Sequence, residues 1–87
     1  MVELDISSFR NQLDCIDAEL VELLNRRMNI SLQIGQYKAA RSLPVFDAGR
    51  EQTILRRVGE RSAPELSEYV INIYRAILDE SKRIQQF

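Results

Sequence analysis

Residues 9–37 read FRNQLDCIDAELVELLNRRMNISLQIGQY, and their apolar side chains recur at alternating spacings of four and three. The apolar positions are Phe9, Leu13, Ile16, Leu20, Leu23, Ile30, Ile34 and Tyr37, and Arg27 takes the remaining position of the pattern. This spacing is typical of a helix that packs along a second helix. With Asp5 or Ser7 as its N-cap, it predicts one helix over about residues 7–40, roughly 50 Å long at 1.5 Å per residue.

A helix of that length does not fit inside a compact chain of 87 residues. Such a chain has a radius of gyration of roughly 12 Å and a diameter of about 30 Å. The helix would protrude with its apolar face in water, and a second chain can cover that face. Because two-fold dimers are the commonest closed oligomers, the sequence predicts a homodimer with this helix at its centre.

Two shorter helices are expected after the breaks at residues 41–44 and 59–64. The first covers about residues 47–58, with Asp47 as N-cap and Gly59 just past its end. The second covers about residues 63–86, because residues 62–65 (Ser-Ala-Pro-Glu) have the form of a capping box. The predicted fold class is therefore all-α, with three helices (long, short, long) in one domain of residues 1–87 and an intertwined homodimer.

The composition excludes several classes of function. Twelve Lys and Arg against thirteen Asp and Glu give a net charge of -1, which indicates neither a nucleic-acid nor a membrane surface. There is no histidine, which excludes histidine acid–base catalysis and the Ser-His and Cys-His pairs. Cys15 is the single cysteine, so no intrachain disulfide forms. With no apolar run of about 20 residues and no signal-peptide pattern, we expect a cytoplasmic protein.

Polar side chains that interrupt the apolar faces are the candidate functional residues: Arg27, Lys38, Glu51, Ser81 and Gln85. A buried charge is costly unless it is paired or meets a charged ligand. The carboxylates of the first helix, by contrast, lie mostly on its outer face. No spacing of carboxylates or cysteine indicates a metal site, so we expect none.

Arg27 and Lys38 lie eleven residues apart, which returns a helix to within about 20° of the same face, about 16 Å further along its axis. Between them on that face are the small residues Ser31 and Gly35. Two cations that flank small residues predict a hollow for a compact dianion. The alternative is a solvated basic face, or an arginine that extends from the apolar seam to water.

Arg10 lies about 25 Å from Arg27 along the same helix, so the two cannot hold one small ligand within a chain. An antiparallel partner that crosses near residues 20–21 would bring Arg10 beside residues 31–32 of the other chain. The alternative is that Arg10 is an ordinary surface residue.

The second and third helices add weaker candidates. Asp47 can be only a cap, and Arg50 only a surface charge. Glu51 can accept a hydrogen bond from a ligand hydroxyl, or it can pair with Lys38 or Arg27. Ser81 and Gln85 are four residues apart on one face, which an ordinary amphipathic helix end explains equally well.

Taken in order, these residues resemble the all-helical class of chorismate mutases over nearly the whole chain. The matching segments are Phe9-Arg10, Asp17-x-x-Leu20-x-x-Leu23-Leu24-x-x-Arg27, Ile34-Gly35-x-x-Lys38, Pro44-Val45-x-Asp47-x-x-Arg50-Glu51 and Ser81-x-x-x-Gln85. The resemblance implies an intertwined dimer that converts chorismate to prephenate, without a cofactor, in phenylalanine and tyrosine biosynthesis. The reaction is a Claisen rearrangement and needs no nucleophile or base, which suits a chain without histidine.

The resemblance also implies the role of each residue. Arg10 of the partner chain and Arg27 would each bind a substrate carboxylate. Lys38 would contact a carboxylate and the ether oxygen, to which Gln85 would also donate.

At the opening of the second helix, Glu51 and the backbone near Asp47 would hold the ring hydroxyl. Arg50 and Ser81 would support the carboxylate end of the substrate. These roles follow from the resemblance and not from spacing.

Two other functions remain open. Isochorismate-pyruvate lyases resemble the same family, although the Asp47-x-x-Arg50-Glu51 segment favours the mutase. A non-catalytic dimerisation or regulatory module of an aromatic-pathway enzyme would have the same helices. Such a module need not keep together the five site residues Arg10, Arg27, Lys38, Glu51 and Gln85.

Overall fold

The computed structural model describes residues 5–86, which form three α-helices: α1 (Ile6–Ala40), α2 (Ala48–Arg61) and α3 (Ser67–Gln85). This confirms the all-α class and the order long, short, long. Residues 1–4 and 87 of the predicted domain lie outside the described residues. The chain measures 61 × 25 × 14 Å, and its radius of gyration is 16.8 Å, well above the roughly 12 Å of a compact chain of this length. The extended shape is consistent with the expected intertwined dimer.

Both ends of α1 have side-chain or backbone caps. At its start Asp5, and not Ser7, is the N-cap, and its Oδ1 accepts a hydrogen bond from the Ser8 amide at 2.9 Å. At its end the Ser42 amide donates to Ala39 O at 3.3 Å and the Leu43 amide to Lys38 O at 2.9 Å. Ser42 has a φ of 54°, the left-handed conformation that this helix ending requires. The chain therefore turns sharply after α1 and returns towards it.

The start of α2 is as predicted, but its end is not. Asp47 is the N-cap, and its Oδ1 accepts from the Arg50 amide at 3.0 Å. Gly59 does not end the helix, which continues to Arg61. The glycine serves helix packing instead, because a Cβ at position 59 would lie 3.1 Å from Cδ1 of Ile71 in α3. Gly59 therefore lets α3 approach α2 closely and has no role as a stop signal.

The capping box predicted at residues 62–65 does not form. Ser62 instead ends α2, and its Oγ donates to Val58 O at 2.7 Å. The next residues make a turn in which the Leu66 amide donates to Ala63 O at 2.9 Å. Leu66 is then the N-cap of α3, without a side-chain hydrogen bond. The serine cannot serve both helices, and so α3 begins four residues later than expected.

The helices pack in series rather than around a common core. Within the described residues α3 contacts both α1 and α2, while α1 and α2 do not contact each other. Among these residues Leu78 is the one buried hydrophobic side chain. The apolar seam of α1 is 42–58% exposed along its whole length. The protruding apolar face inferred from the sequence is therefore present, and it stays exposed within the described part of the chain.

No helix among residues 5–86 is long and apolar enough to span a bilayer.

Candidate functional site

A pocket of about 460 Å³ lies between the three helices. It brings together seven of the eight predicted site residues: Arg27, Lys38, Asp47, Arg50, Glu51, Ser81 and Gln85. Each helix contributes to its wall, and the connection between α1 and α2 contributes Asp47. Residues that are 58 positions apart in the sequence therefore face one cavity.

Arg27 is anchored across the gap between α1 and α3. Its Nη1 donates to Ser81 Oγ at 2.7 Å, and Ser81 is buried. Its guanidinium also lies 5.7 Å from the centre of the Tyr74 ring, within the range of a cation–π interaction. These contacts explain why an arginine interrupts the apolar seam. A guanidinium has five N–H donors, so Arg27 keeps donors for an anionic ligand.

Lys38 reaches back to the chain that follows its own helix. Its Nζ donates to Val45 O at 3.0 Å, which fixes the ammonium at the pocket wall beside the start of α2. An ammonium has three donors, so two remain after this contact. Lys38 is half-buried, and so its charge is only partly screened by water.

The sequence predicted a hollow beside two small residues, Ser31 and Gly35, and the structure has space beside only one of them. Ser31 is buried and lines the pocket. Gly35 is covered by α3, because a Cβ at this position would lie 2.7 Å from Gln85 Cα. Gly35 thus lets the end of α3 pack directly on α1. The space expected beside Gly35 is filled by the backbone of a predicted site residue.

Gln85 has a polar atom that the described residues do not satisfy. Its Oε1 is buried and has no hydrogen-bond partner. Buried polar side-chain atoms are nearly always hydrogen-bonded, and this amide lines the pocket. Rotation of the terminal amide by 180° exchanges its donor and acceptor. Gln85 therefore offers a neutral hydrogen-bonding group to a molecule in the pocket.

Glu51 forms an ion pair that the sequence did not predict. Its Oε1 lies 3.1 Å from Lys82 Nζ, whereas the sequence left open a pairing with Lys38 or Arg27. Lys82 also approaches Asp79 Oδ1 at 3.4 Å and lies 5.0 Å from the centre of the Phe46 ring. The Glu51–Lys82 pair joins α2 to α3 at the pocket wall.

Lys82 is the charged pocket residue that the sequence analysis missed. It lies four residues after Leu78 and three before Gln85, so all three share one face of α3. That spacing is the signal in the sequence, and it points to Lys82 as well as to Ser81 and Gln85.

The neighbouring carboxylates of Glu51 and Asp79 favour the protonated form of Lys82. The hydrogen bond with Glu51 is the largest cause that raises the pKa of Lys82 above 10.5, Asp79 adds to it, and burial opposes it. Because the folded-state pKa is the higher one, the pair stabilises the fold at neutral pH and loses this effect as the pH rises through the raised pKa. Lys82 therefore stays charged over the whole neutral range.

The pocket carries an excess of positive charge. Four cations (Arg27, Lys38, Arg50, Lys82) face two carboxylates (Asp47, Glu51), which leaves two positive charges. Such a wall is complementary to a small dianion. No group of three or more possible metal ligands occurs within residues 5–86.

Arg10 is the predicted site residue that does not reach this pocket. It is exposed on the first turns of α1 and is absent from the pocket wall. Along α1 it lies about 25 Å from Arg27. A single chain therefore does not bring Arg10 to the other site residues.

Comparison with known proteins places this arrangement in a family. Residues 9–86 match the family described as chorismate mutase type II. Among curated relatives, the 4-amino-4-deoxychorismate mutase of Streptomyces venezuelae is 26% identical, over 93% of this chain and 81% of the relative. The bifunctional chorismate mutase/prephenate dehydratase of Buchnera aphidicola subsp. Baizongia pistaciae is 32% identical over 91% of this chain. The match covers only 22% of that bifunctional protein.

A solved structure has the same architecture. A conserved hypothetical protein from Pyrococcus furiosus is 33% identical and superposes with a TM-score of 0.78. The match covers 98% of this chain and all of that one. The three-helix arrangement is therefore that of a known protein along its whole length.

The contact between Gly35 and Gln85 gives the first prediction. Gly35→Ala should lower the free energy of unfolding, because overpacking typically costs about 1–3 kcal/mol and exceeds the helix-propensity gain of up to about 1 kcal/mol. Gly49→Ala is the matched control, since its Cβ would meet only Asp47 Oδ1 at 3.7 Å. Urea unfolding of both variants measures the difference. Equal stabilities would show that α3 does not pack on Gly35 as closely as described.

Proposed function

The chain belongs to the chorismate mutase type II family, and on that premise we propose that its pocket rearranges chorismate to prephenate. A domain of this family is an isomerase. The observation that supports the proposal is the gathering of seven expected site residues around one cavity with an excess of two positive charges. Chorismate is a dicarboxylate, so its charge complements that of the cavity wall.

The rearrangement takes place within one molecule. The bond between the ring carbon and the ether oxygen breaks while a C–C bond forms between the enolpyruvyl CH2 and the ring. The ether oxygen becomes a ketone oxygen, and no proton is transferred. The enzyme therefore needs to hold the compact, chair-like conformer in which these ends meet. Arg27, anchored on Ser81, would grip one carboxylate. Arg10 of a second chain would grip the other.

The ether oxygen gains negative charge in the transition state, so donors aimed at it accelerate the reaction. Lys38 has donors left beyond its bond to Val45 O. The amide oxygen of Gln85 is buried without a partner, and a 180° rotation of the amide would bring its NH2 donors to the same place. Both residues line the pocket. We assign these two side chains to the ether oxygen, where the loss of one donor typically costs about 3–4 kcal/mol.

The opposite end of the substrate would meet the start of α2. Glu51 is the acceptor for the ring hydroxyl, with the backbone near Asp47 beside it. Asp47 itself caps α2, and this contact fixes the first turn that carries Arg50 and Glu51. Arg50 would support a carboxylate, and Ser81 would act through its hydrogen bond with Arg27.

A homodimer completes the proposal. The apolar seam of α1 is exposed along its length, and an antiparallel second copy would cover it. The same pairing would carry Arg10 across to the partner's pocket, where two equivalent sites would form.

A second substrate has specific support. The Streptomyces venezuelae relative, which aligns over 93% of this chain, is a 4-amino-4-deoxychorismate mutase. Its name specifies an amino group on the ring where chorismate has a hydroxyl. We therefore include 4-amino-4-deoxychorismate as the alternative substrate of the same rearrangement.

The defining experiment supplies purified protein with chorismate and, in a parallel assay, with isochorismate, and measures both prephenate and pyruvate. We expect prephenate, and a loss of about a hundred- to a thousand-fold in kcat/KM for Lys38→Ala. Arg41→Ala is the control, because Arg41 stacks on Tyr37 just past the end of α1 and does not line the pocket. Pyruvate released from isochorismate, with little prephenate from chorismate, would establish the lyase instead. A folded protein that turns over neither compound would be a non-catalytic module.

The role of Gln85 predicts a dependence on pH. An amide donates at any pH, whereas a glutamate donates only while it is protonated. Gln85→Glu should therefore lose activity as the pH rises through neutrality, while the wild type does not. Gln85→Leu, which donates at no pH, should be slow with a flat profile. If the wild type and Gln85→Glu have the same profile, Gln85 does not donate to the ether oxygen.

The contribution of Arg10 in trans can be tested with mixed dimers. Arg10→Ala and Arg27→Ala should each be nearly inactive alone. If Arg10 serves the partner's pocket, subunits that exchange at random regain about a quarter of the wild-type activity, because half of the dimers hold one intact site of two. If Arg10 acted within its own chain, every site would carry one defect and mixing would restore nothing.

A further inference from the structure

We infer that Lys82 is a specificity-determining residue, which together with Glu51 selects a ring hydroxyl over a ring ammonium. The inference rests on the proposed function, because it concerns the substituent that Glu51 would meet. Its basis is the ion pair at the wall of the pocket, in which Glu51 Oε1 and Lys82 Nζ are 3.1 Å apart. Both side chains line the cavity.

The pair offers one acceptor and one donor side by side. A carboxylate only accepts hydrogen bonds, and an ammonium only donates them. A hydroxyl does both, so it can donate to Glu51 while it accepts from Lys82. An ammonium on the substrate has three donors and no acceptor. It would leave without a partner the third donor of Lys82, which Glu51 and Asp79 do not use.

The charge of Lys82 also favours a ring hydroxyl over a ring ammonium. Glu51 alone would attract a cationic substituent, because opposite charges favour each other at short range. Lys82 neutralises that attraction and adds a like charge beside the substituent. An amine on a saturated ring carbon is protonated at neutral pH, as a lysine amine is. The side chains of Glu51 and Lys82 are only 25% and 29% exposed, so water screens this repulsion incompletely.

Lys82 is held where this selection requires it. Besides Glu51 it contacts Asp79 Oδ1 at 3.4 Å and lies over the Phe46 ring at 5.0 Å. The carboxylate of Asp79 is 72% exposed, so water screens its charge more than that of Glu51, whose side chain is 25% exposed. An ammonium fixed by three neighbours cannot swing away from a cationic substrate without losing these contacts.

The experiment measures kcat/KM for chorismate and for 4-amino-4-deoxychorismate with the same enzyme preparation. The wild type should prefer chorismate. Lys82→Met keeps the length of the side chain and removes its charge and donors. This variant should lower the ratio of kcat/KM for chorismate to kcat/KM for the amino compound by about tenfold or more. Arg75→Met, which removes an exposed cation of α3 outside the pocket, should leave the ratio unchanged.

Lys82→Arg provides a second variant with the charge retained. It should keep the preference for chorismate that Lys82→Met loses. If Lys82 had only a structural role, the two variants would show the same substrate preference. Should Lys82→Met not fold, the wild-type ratio still tests the inference, because a wild type that uses the amino compound as well as chorismate would overturn it. An unchanged ratio in a folded Lys82→Met would overturn it as well.

Failure of this inference can be told apart from failure of the proposed function. If the wild type rearranges chorismate and the ratio does not respond to Lys82, the function stands and the role of Lys82 is wrong. If the folded wild type rearranges neither compound, the proposed function is wrong and the inference falls with it.

Discussion

The close packing of α3 on α1 is the constraint on which the rest of the structure depends. α2 does not contact α1, so the residues of α2 face the cations of α1 only because both helices pack on α3. The approach at Gly35 sets how near α3 can come, and the hydrogen bond from Arg27 to Ser81 links the same two helices. A change at this junction would displace all three walls of the pocket together.

Much of the fold was readable because its signals are local. The spacing of apolar residues predicted α1 nearly to its ends, and Asp5 and Asp47 cap their helices as short-range rules require. The errors arose where one residue could serve two purposes. Gly59 has the character of a helix stop, yet it permits contact with Ile71. Ser62 matches a cap for α3, yet it ends α2. Tertiary packing decided between these roles.

The site was predictable to a similar extent, and for a related reason. Charged residues on apolar faces pointed to Arg27, Lys38 and Glu51, and these do line one pocket. Which charges pair with each other depends on distances between helices, which a sequence does not contain. The partner of Glu51 therefore proved to be Lys82, and the resemblance to a family supplied the roles that spacing alone left open.

The near absence of an interior has a consequence for how this protein responds to dilution. With Leu78 as the one buried hydrophobic side chain among residues 5–86, the isolated chain leaves more apolar surface in water than a compact chain of this length would. In the proposed homodimer, covering the seam of α1 would supply much of the hydrophobic stabilisation that the isolated chain lacks. When association supplies that cover, folding and assembly become one equilibrium, and the melting temperature rises with protein concentration by mass action.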